Sequence, residues 1–152
     1  MKIRMPFGRV AFNASSSEFA GFDLVNRVLG QLQAAAVPPS CLGLEVTETV
    51  FLGGGSGAIG PILQELHKAG IEIALDDFGT GYASLTHLQK FPVDTIKIDQ
   101  SFVSSLATDD GSQAITSAVL ELGRRLGEDV VAEGVETAGQ AEILRAAGCR
   151  LA

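Results

Sequence analysis

Six residues in this sequence are of types that handle metal ions and phosphate oxygens: Asn13, Glu45, Asp76, Asp77, Lys97 and Glu133. Four carboxylates and an amide oxygen are hard donors suited to Mg²⁺ or Mn²⁺. The adjacent pair Asp76-Asp77, with a Glu on either side along the chain, has the make-up to hold two ions a few Å apart. Such a pair activates water and steadies the oxygens of an in-line phosphoryl displacement. Without metal, so many carboxylates at one place would repel one another or stay protonated. Lys97 has two open roles, neutralising a carboxylate or orienting the attacking water. Glu48, Asp99 and Glu136 each follow one of these residues by two or three positions. Taken singly, each acidic residue also fits a helix N-cap or a loop charge. Taken together, charges placed beside apolar strands cost free energy unless they are paired or bound to metal, and that favours a site. His67 falls in an amphipathic segment and His87 in a loop-helix segment, and no Ser-His-Asp or Cys-His arrangement forms around them.

The elements that must carry these residues alternate in type. Apolar runs at Val10-Ala11-Phe12, Leu42 to Val46, Ile71 to Leu75, Thr95 to Ile98 and Val130 to Ala132 predict five strands buried on both faces. Between them, Phe22, Val25, Leu29, Leu32 and Ala36 mark one helical face, which Pro38 and Pro39 stop. Ile59, Ile62, Leu63 and Leu66 mark a second, capped at Gly70 after a flexible break at Gly53, Gly54 and Gly55. Ile115, Ala118, Val119, Leu122 and Leu126 mark a third, and Thr137 to Ala147 a fourth, capped at Gly148. Alternating strand and helix means parallel βαβ units, in either a doubly wound sheet or a barrel. No Gly-rich phosphate fingerprint follows the first strand, which weakens the dinucleotide-binding option. Asn13, Glu45, Asp76-Asp77, Lys97 and Glu133 each stand at or near a strand's C-terminal end, 21 to 36 residues apart. Five consecutive strands delivering polar groups to one rim is the pattern of a barrel, whereas a doubly wound sheet gathers only those near its switch point.

Composition limits the partners. The 46% hydrophobic content fits a globular core and excludes the disorder signature. A formal charge of -7 makes a nucleic acid polymer a poor partner, because phosphate backbones need Lys and Arg, though metal ions could still recruit a small phosphate ligand. Cys41 and Cys149 have no metal-like spacing and read as free thiols in a reducing compartment. No apolar run approaches the roughly 20 residues of a membrane helix, and a cytoplasmic chain without membrane contact is expected.

Five stretches carry a resemblance. Asp76-Asp77-Phe78-Gly79-Thr80-Gly81, within Ala74 to Leu85, resembles the DDFGTG loop of EAL-domain cyclic di-GMP phosphodiesterases. Phe12-Asn13-Ala14-Ser15, Leu44-Glu45-Val46-Thr47-Glu48, Thr95-Ile96-Lys97-Ile98-Asp99 and Glu133-Gly134-Val135-Glu136 resemble that family's other motifs, in its order. The resemblance implies an α/β fold, an incomplete TIM-type β/α barrel of about five βα units, over residues 1–152. It further implies hydrolysis of one phosphodiester of cyclic di-GMP to pGpG, with two Mg²⁺ or Mn²⁺ ions. Asn13, Glu45 and Asp76 would bind one metal and Asp77 would help bind the second. Glu133 would act as general base or metal ligand with Lys97 beside it. Glu48 would tie down the loop after Asp77, and Asp99 and Glu136 would support the site. The segment Phe78, Gly79, Thr80 and Gly81 would couple metal binding to a possible homodimer. The Glu-Ala-Leu strand that names the family, and the family's last strands after a sixth strand starting at Cys149 to Ala152, are not among these residues. A central and later part of the domain is therefore expected, slow or inactive as this chain alone. The alternative is a non-catalytic module that binds cyclic di-GMP or a protein.

Overall fold

The alternating apolar runs form five parallel strands with helices packed on one face. The computed structural model describes residues 8–20, 23–53, 59–80 and 88–150. In chain order the elements are β1 (Val10–Asn13), α1 (Ser16–Phe19), α2 (Leu24–Ala34), a 3-10 turn (Pro39–Cys41), β2 (Leu42–Thr47), α3 (Glu48–Gly53) and α4 (Ile59–Lys68). There follow β3 (Glu72–Phe78), β4 (Thr95–Ile98), α5 (Gln100–Ser105), α6 (Asp110–Leu126), β5 (Asp129–Ala132) and α7 (Ala138–Ala146). The sheet order is β1-β2-β3-β4-β5, parallel throughout. A sequential order with no reversal is that of a barrel wall and differs from a doubly wound sheet.

All five strands stand where the apolar runs place them, and helices form over all four periodic segments. In α6 the buried face is not the expected one: Ile115, Ala118 and Leu126 are exposed, and Ser112, Thr116, Val119, Leu120 and Gly123 pack inward. Gly70 and Gly148 take positive φ at helix ends, as C-terminal caps do. Three short helices, α1, α3 and α5, have no counterpart in the periodicity, because four to six residues are too few to repeat a 3.6-residue pattern. β3 also runs beyond Leu75 to Phe78. Phe22, Gly54, Gly55, Gly81, His87 and the last two residues of the expected sixth strand lie outside the described residues.

The two faces of the sheet differ. Leu44, Val46, Ile73, Ile96 and Ile98 turn outward and are fully buried with Leu63 and Leu66 of α4 and Val103 of α5. Each such side chain contributes roughly 1.5–3 kcal/mol on leaving water. The inner face is lined by small and polar residues, including Ala11, Gly43, Ala74 and Thr95, around a cavity of about 400 Å³. At the N-terminal end of this face Arg9 pairs with Glu72 and donates to the Ser40 carbonyl at 3.2 Å.

Asp94, just before β4, fixes how β3 and β4 meet. Its carboxylate accepts the Ile73 N–H at 2.8 Å and lies 3.0 Å from His67 Nε2, while its own N–H donates to the Ile73 carbonyl at 2.9 Å. These bonds take the place of ladder bonds at the start of β4 and hold α4 to the same corner.

Two predictions follow from the packing of α6 on β5. A Cβ on Gly123 would stand 2.3 Å from Val130 Cγ2 and 3.2 Å from the Glu128 carbonyl. Gly123→Ala therefore destabilises by about 1–3 kcal/mol through overpacking, despite alanine's better helix propensity, and Val130→Ala restores part of the loss in chemical denaturation. Glu128 sits beside that contact, and its Oε2 is buried with no hydrogen-bond partner among the described residues. Burial, helped by the charge of Asp94, pushes its carboxyl up to about 7. The folded chain then holds a proton that the unfolded chain has already released, so stability falls as pH rises through that range. Glu128→Gln should leave the melting temperature nearly unchanged at about pH 4.5 and raise it progressively up to about pH 8.

Candidate metal centre

A bulge in β3 aims two successive carboxylates at one rim. β3 pairs with β4 at Ala74–Thr95 and Leu75–Ile96, and again at Phe78–Ile98, so Asp76 and Asp77 lie opposite Lys97 alone. In a regular strand adjacent side chains point to opposite faces. Here the extra residue, with Asp77 at φ 56°, turns the second carboxylate back towards the first. Asp is among the few non-glycine residues that tolerate this left-handed region. Carboxylate oxygens of Asp76, Asp77 and Glu133 consequently lie within 4.8 Å of one another. Phe78 then returns to the core.

Lys97 stands at the middle of the site. Its Nζ donates to Glu45 Oε2 at 2.9 Å and stands in ion-pair contact with Glu133 Oε1 at 2.7 Å and Asp76 Oδ1 at 3.1 Å. Burial works to lower its pKa, but the bonds to Glu133, Glu45 and Asp76 outweigh it and hold the ammonium above its ordinary range. Asp76 Oδ1 also accepts the Asp77 N–H at 3.1 Å. Asn13, the last residue of β1, is in register with Glu45 and exposed at the rim.

Asp77 has no ion-pair partner among the described residues. Burial, the charge of Asp76 and a hydrogen bond with Asp99 raise its pKa. Asp99 is held the other way by Ser101, whose N–H it accepts at 2.8 Å as the N-cap of α5. The two carboxyls are therefore shifted in opposite directions, Asp77 up and Asp99 down.

The supporting positions divide. Glu48, 3% exposed, accepts the Gly79 N–H at 3.0 Å, so it does fasten the chain just after the bulge, while its Oε2 has no partner among the described residues. Gly79 has φ 101°, and a Cβ there would come within 2.9 Å of the Phe102 ring, so both its backbone and its packing require glycine. Thr80 donates its hydroxyl to the Asp77 carbonyl at 2.8 Å, which closes the turn. Gly81 lies outside the described residues. Glu136 is exposed and does not join the carboxylates around Lys97. Its N–H, with that of Thr137, donates to Gln140 Oε1 at 2.8 and 2.9 Å. Thr137 and Gln140 form the capping box of α7 and so anchor the segment that follows Glu133. This anchor was not read from the sequence, although Thr137-x-x-Gln140 is its signature.

The arrangement generates a prediction for the metal-free chain. Because the ionised form of Asp77 is disfavoured in the fold, Asp77→Asn, which also accepts positive φ, should raise the melting temperature in the presence of chelator. The raised carboxyl is protonated at low pH in both folded and unfolded chains, so the gain should be larger at about pH 8 than at about pH 4. Thermal unfolding at the two pH values checks it.

Comparison with known proteins matches this geometry to a family. The family model described as the EAL domain matches residues 2–152. The bifunctional diguanylate cyclase/cyclic di-GMP phosphodiesterase MucR of Pseudomonas aeruginosa is 43% identical over 140 residues, which is 92% of this chain and 20% of MucR. The solved PaMucR phosphodiesterase in complex with c-di-GMP superposes with a TM-score of 0.88 at 43% identity, over 93% of this chain and 57% of that one. A manganese and cyclic di-GMP complex of Klebsiella pneumoniae BlrP1 superposes with a TM-score of 0.84 at 35% identity, over 93% of this chain and 36% of that one. The chain thus spans about a fifth of the length of MucR. Its five-stranded sheet matches the TIM-barrel-like fold of these enzymes, with the barrel not closed among the described residues. No helix among those residues is long and apolar enough to cross a membrane. From the rim of oxygen donors, the order of the strands and the family match over residues 2–152, this chain belongs to the EAL-domain family.

Proposed function

We propose that this chain supplies the central part of a metal-dependent active site that hydrolyses cyclic di-GMP to pGpG. The observation that carries the reading is the convergence of Asp76, Asp77 and Glu133, with Glu45 joined to them through Lys97. An all-oxygen donor set fits Mg²⁺ or Mn²⁺ better than softer metals. Asn13, Glu45 and Asp76 would hold one ion, and Asp77 with Asp76 or Glu133 the other. When bound, such ions supply positive charge to the phosphate oxygens and lower the pKa of water.

The chain's own residues do the remainder. Glu133 presents Oε1 to Lys97 and keeps Oε2 either as a donor to a metal ion or as the acceptor of the attacking water's proton. Lys97 balances part of the carboxylate charge and so lets an anionic phosphodiester approach. Glu48, through the Gly79 N–H, keeps the residues after Asp77 from drifting out of place. A homodimer formed through the segment beginning at Phe78 belongs to the same reading.

Calorimetric titration of Mn²⁺ and then cyclic di-GMP, with chromatography of the products, tests it. We expect Mn²⁺ to bind, cyclic di-GMP to bind only with Mn²⁺ present, and pGpG to form more slowly than with a complete domain. Asp76→Asn should weaken Mn²⁺ by about tenfold or more. Dinucleotide binding that ignores both Mn²⁺ and Asp76→Asn would overturn the reading. Mn²⁺-dependent binding with no pGpG at all would make the chain a binding module.

A further inference from the structure

The ammonium of Lys97 and the metal ions of the proposed function draw on the same carboxylates. By charge alone, a fixed cation among the ligands should oppose a second cation. The geometry gives the lysine a different role. Its ammonium lies within 3.1 Å of three carboxylates brought together by three strands, Glu45 on β2, with which it hydrogen-bonds, Asp76 on β3 and Glu133 just after β5. Each carboxylate gives Lys97 one oxygen. The second oxygens, Glu45 Oε1, Asp76 Oδ2 and Glu133 Oε2, carry no hydrogen bond among the described residues.

Glu133 depends most on this contact. Its side chain is 35% exposed, and Lys97 is its ion-pair partner among the described residues. Its backbone is tied to β4, the Glu133 N–H donating to the Ile98 carbonyl at 3.1 Å, and its side chain meets Lys97. Lys97 itself is well restrained, since its side chain is 13% exposed and β4 is flanked by β3 and β5. A part-buried, centrally placed lysine therefore sets where the half-exposed Glu133 side chain lies.

We propose that Lys97 is a positioning residue for metal binding, gripping one oxygen each of Glu45, Asp76 and Glu133 so that their other oxygens form a ready-made cation site. The proposal rests on the metal-dependent reading above. It reverses the sign expected from charge. Removing the lysine leaves three like charges with no common donor, and their repulsion splays the ligands.

The test is Mn²⁺ affinity, measured by calorimetry on the 152-residue chain as wild type, Lys97→Met and Lys97→Arg, with circular dichroism to establish folding. Loss of a group that orients metal ligands weakens metal by about 10–100-fold. We expect Lys97→Met to bind Mn²⁺ at least about tenfold more weakly than wild type. Lys97→Arg keeps the charge but replaces a compact three-donor head with a planar fork, and it should also bind more weakly. Equal or tighter binding by Lys97→Met overturns the proposal while leaving the metal-dependent reading in place. If Lys97→Met does not fold, Lys97→Arg decides, and wild-type affinity in that variant overturns the proposal. A wild-type chain that binds no Mn²⁺ overturns the metal-dependent reading itself.

Discussion

Like charges do not gather without something to hold them, and that constraint organises this molecule. Glu45, Asp76, Asp77, Asp99 and Glu133 crowd one rim of a chain whose formal charge is already -7. Lys97 meets three of them directly. Asp77 and Asp99 are pushed apart in acidity, Asp77 upward by burial and the charge of Asp76, and Asp99 downward by its hydrogen bond from Ser101. The rim is thus divided into a half that an ammonium joins and a half in which ionisation of Asp77 is disfavoured. Both arrangements need the strands in one sequence and one register, so the electrostatics and the topology constrain each other.

Much of this was legible beforehand because it is periodic or local. Leu44, Val46, Ile73 and Ile96 announce buried strands by composition, and polar residues after each run announce the rim. The inward turn of Asp77 was not legible. Two adjacent aspartates on a strand imply opposite faces, and only pairing with β4 reveals the extra residue that overrides the alternation. The threefold grip of Lys97 was equally hidden, since it joins residues 52, 21 and 36 positions away in sequence. The role of Gln140 was hidden for a plainer reason: Thr137 and Gln140 look like an ordinary helix start until the orphan N–H groups of Glu136 and Thr137 are traced to their acceptor.

The two ends of the sheet have different duties. The C-terminal rim carries exposed or shared charge and a residue in strained conformation, features that lower stability. The opposite end carries the bonds of Asp94 with Ile73 and His67 and the close approach of Gly123 to Val130. Glu128 is the exception there, a buried carboxyl at the stable end that nothing among the described residues satisfies.

The Asp94 bonds carry a consequence for how such a rim can fail. Asp94 sets which residue of β3 faces which residue of β4. Pairing in a sheet shifts only in whole residues, and one step moves every side chain of a strand to its opposite face. A slip at this corner would not displace Lys97 by a fraction of an ångström. It would send the ammonium into the helix layer and an isoleucine to the rim. The distant site is therefore inherited in an all-or-none manner, as a digit is copied, from two contacts of Asp94, one by its carboxylate and one by its N–H, with the backbone of Ile73 at the far end of the strands.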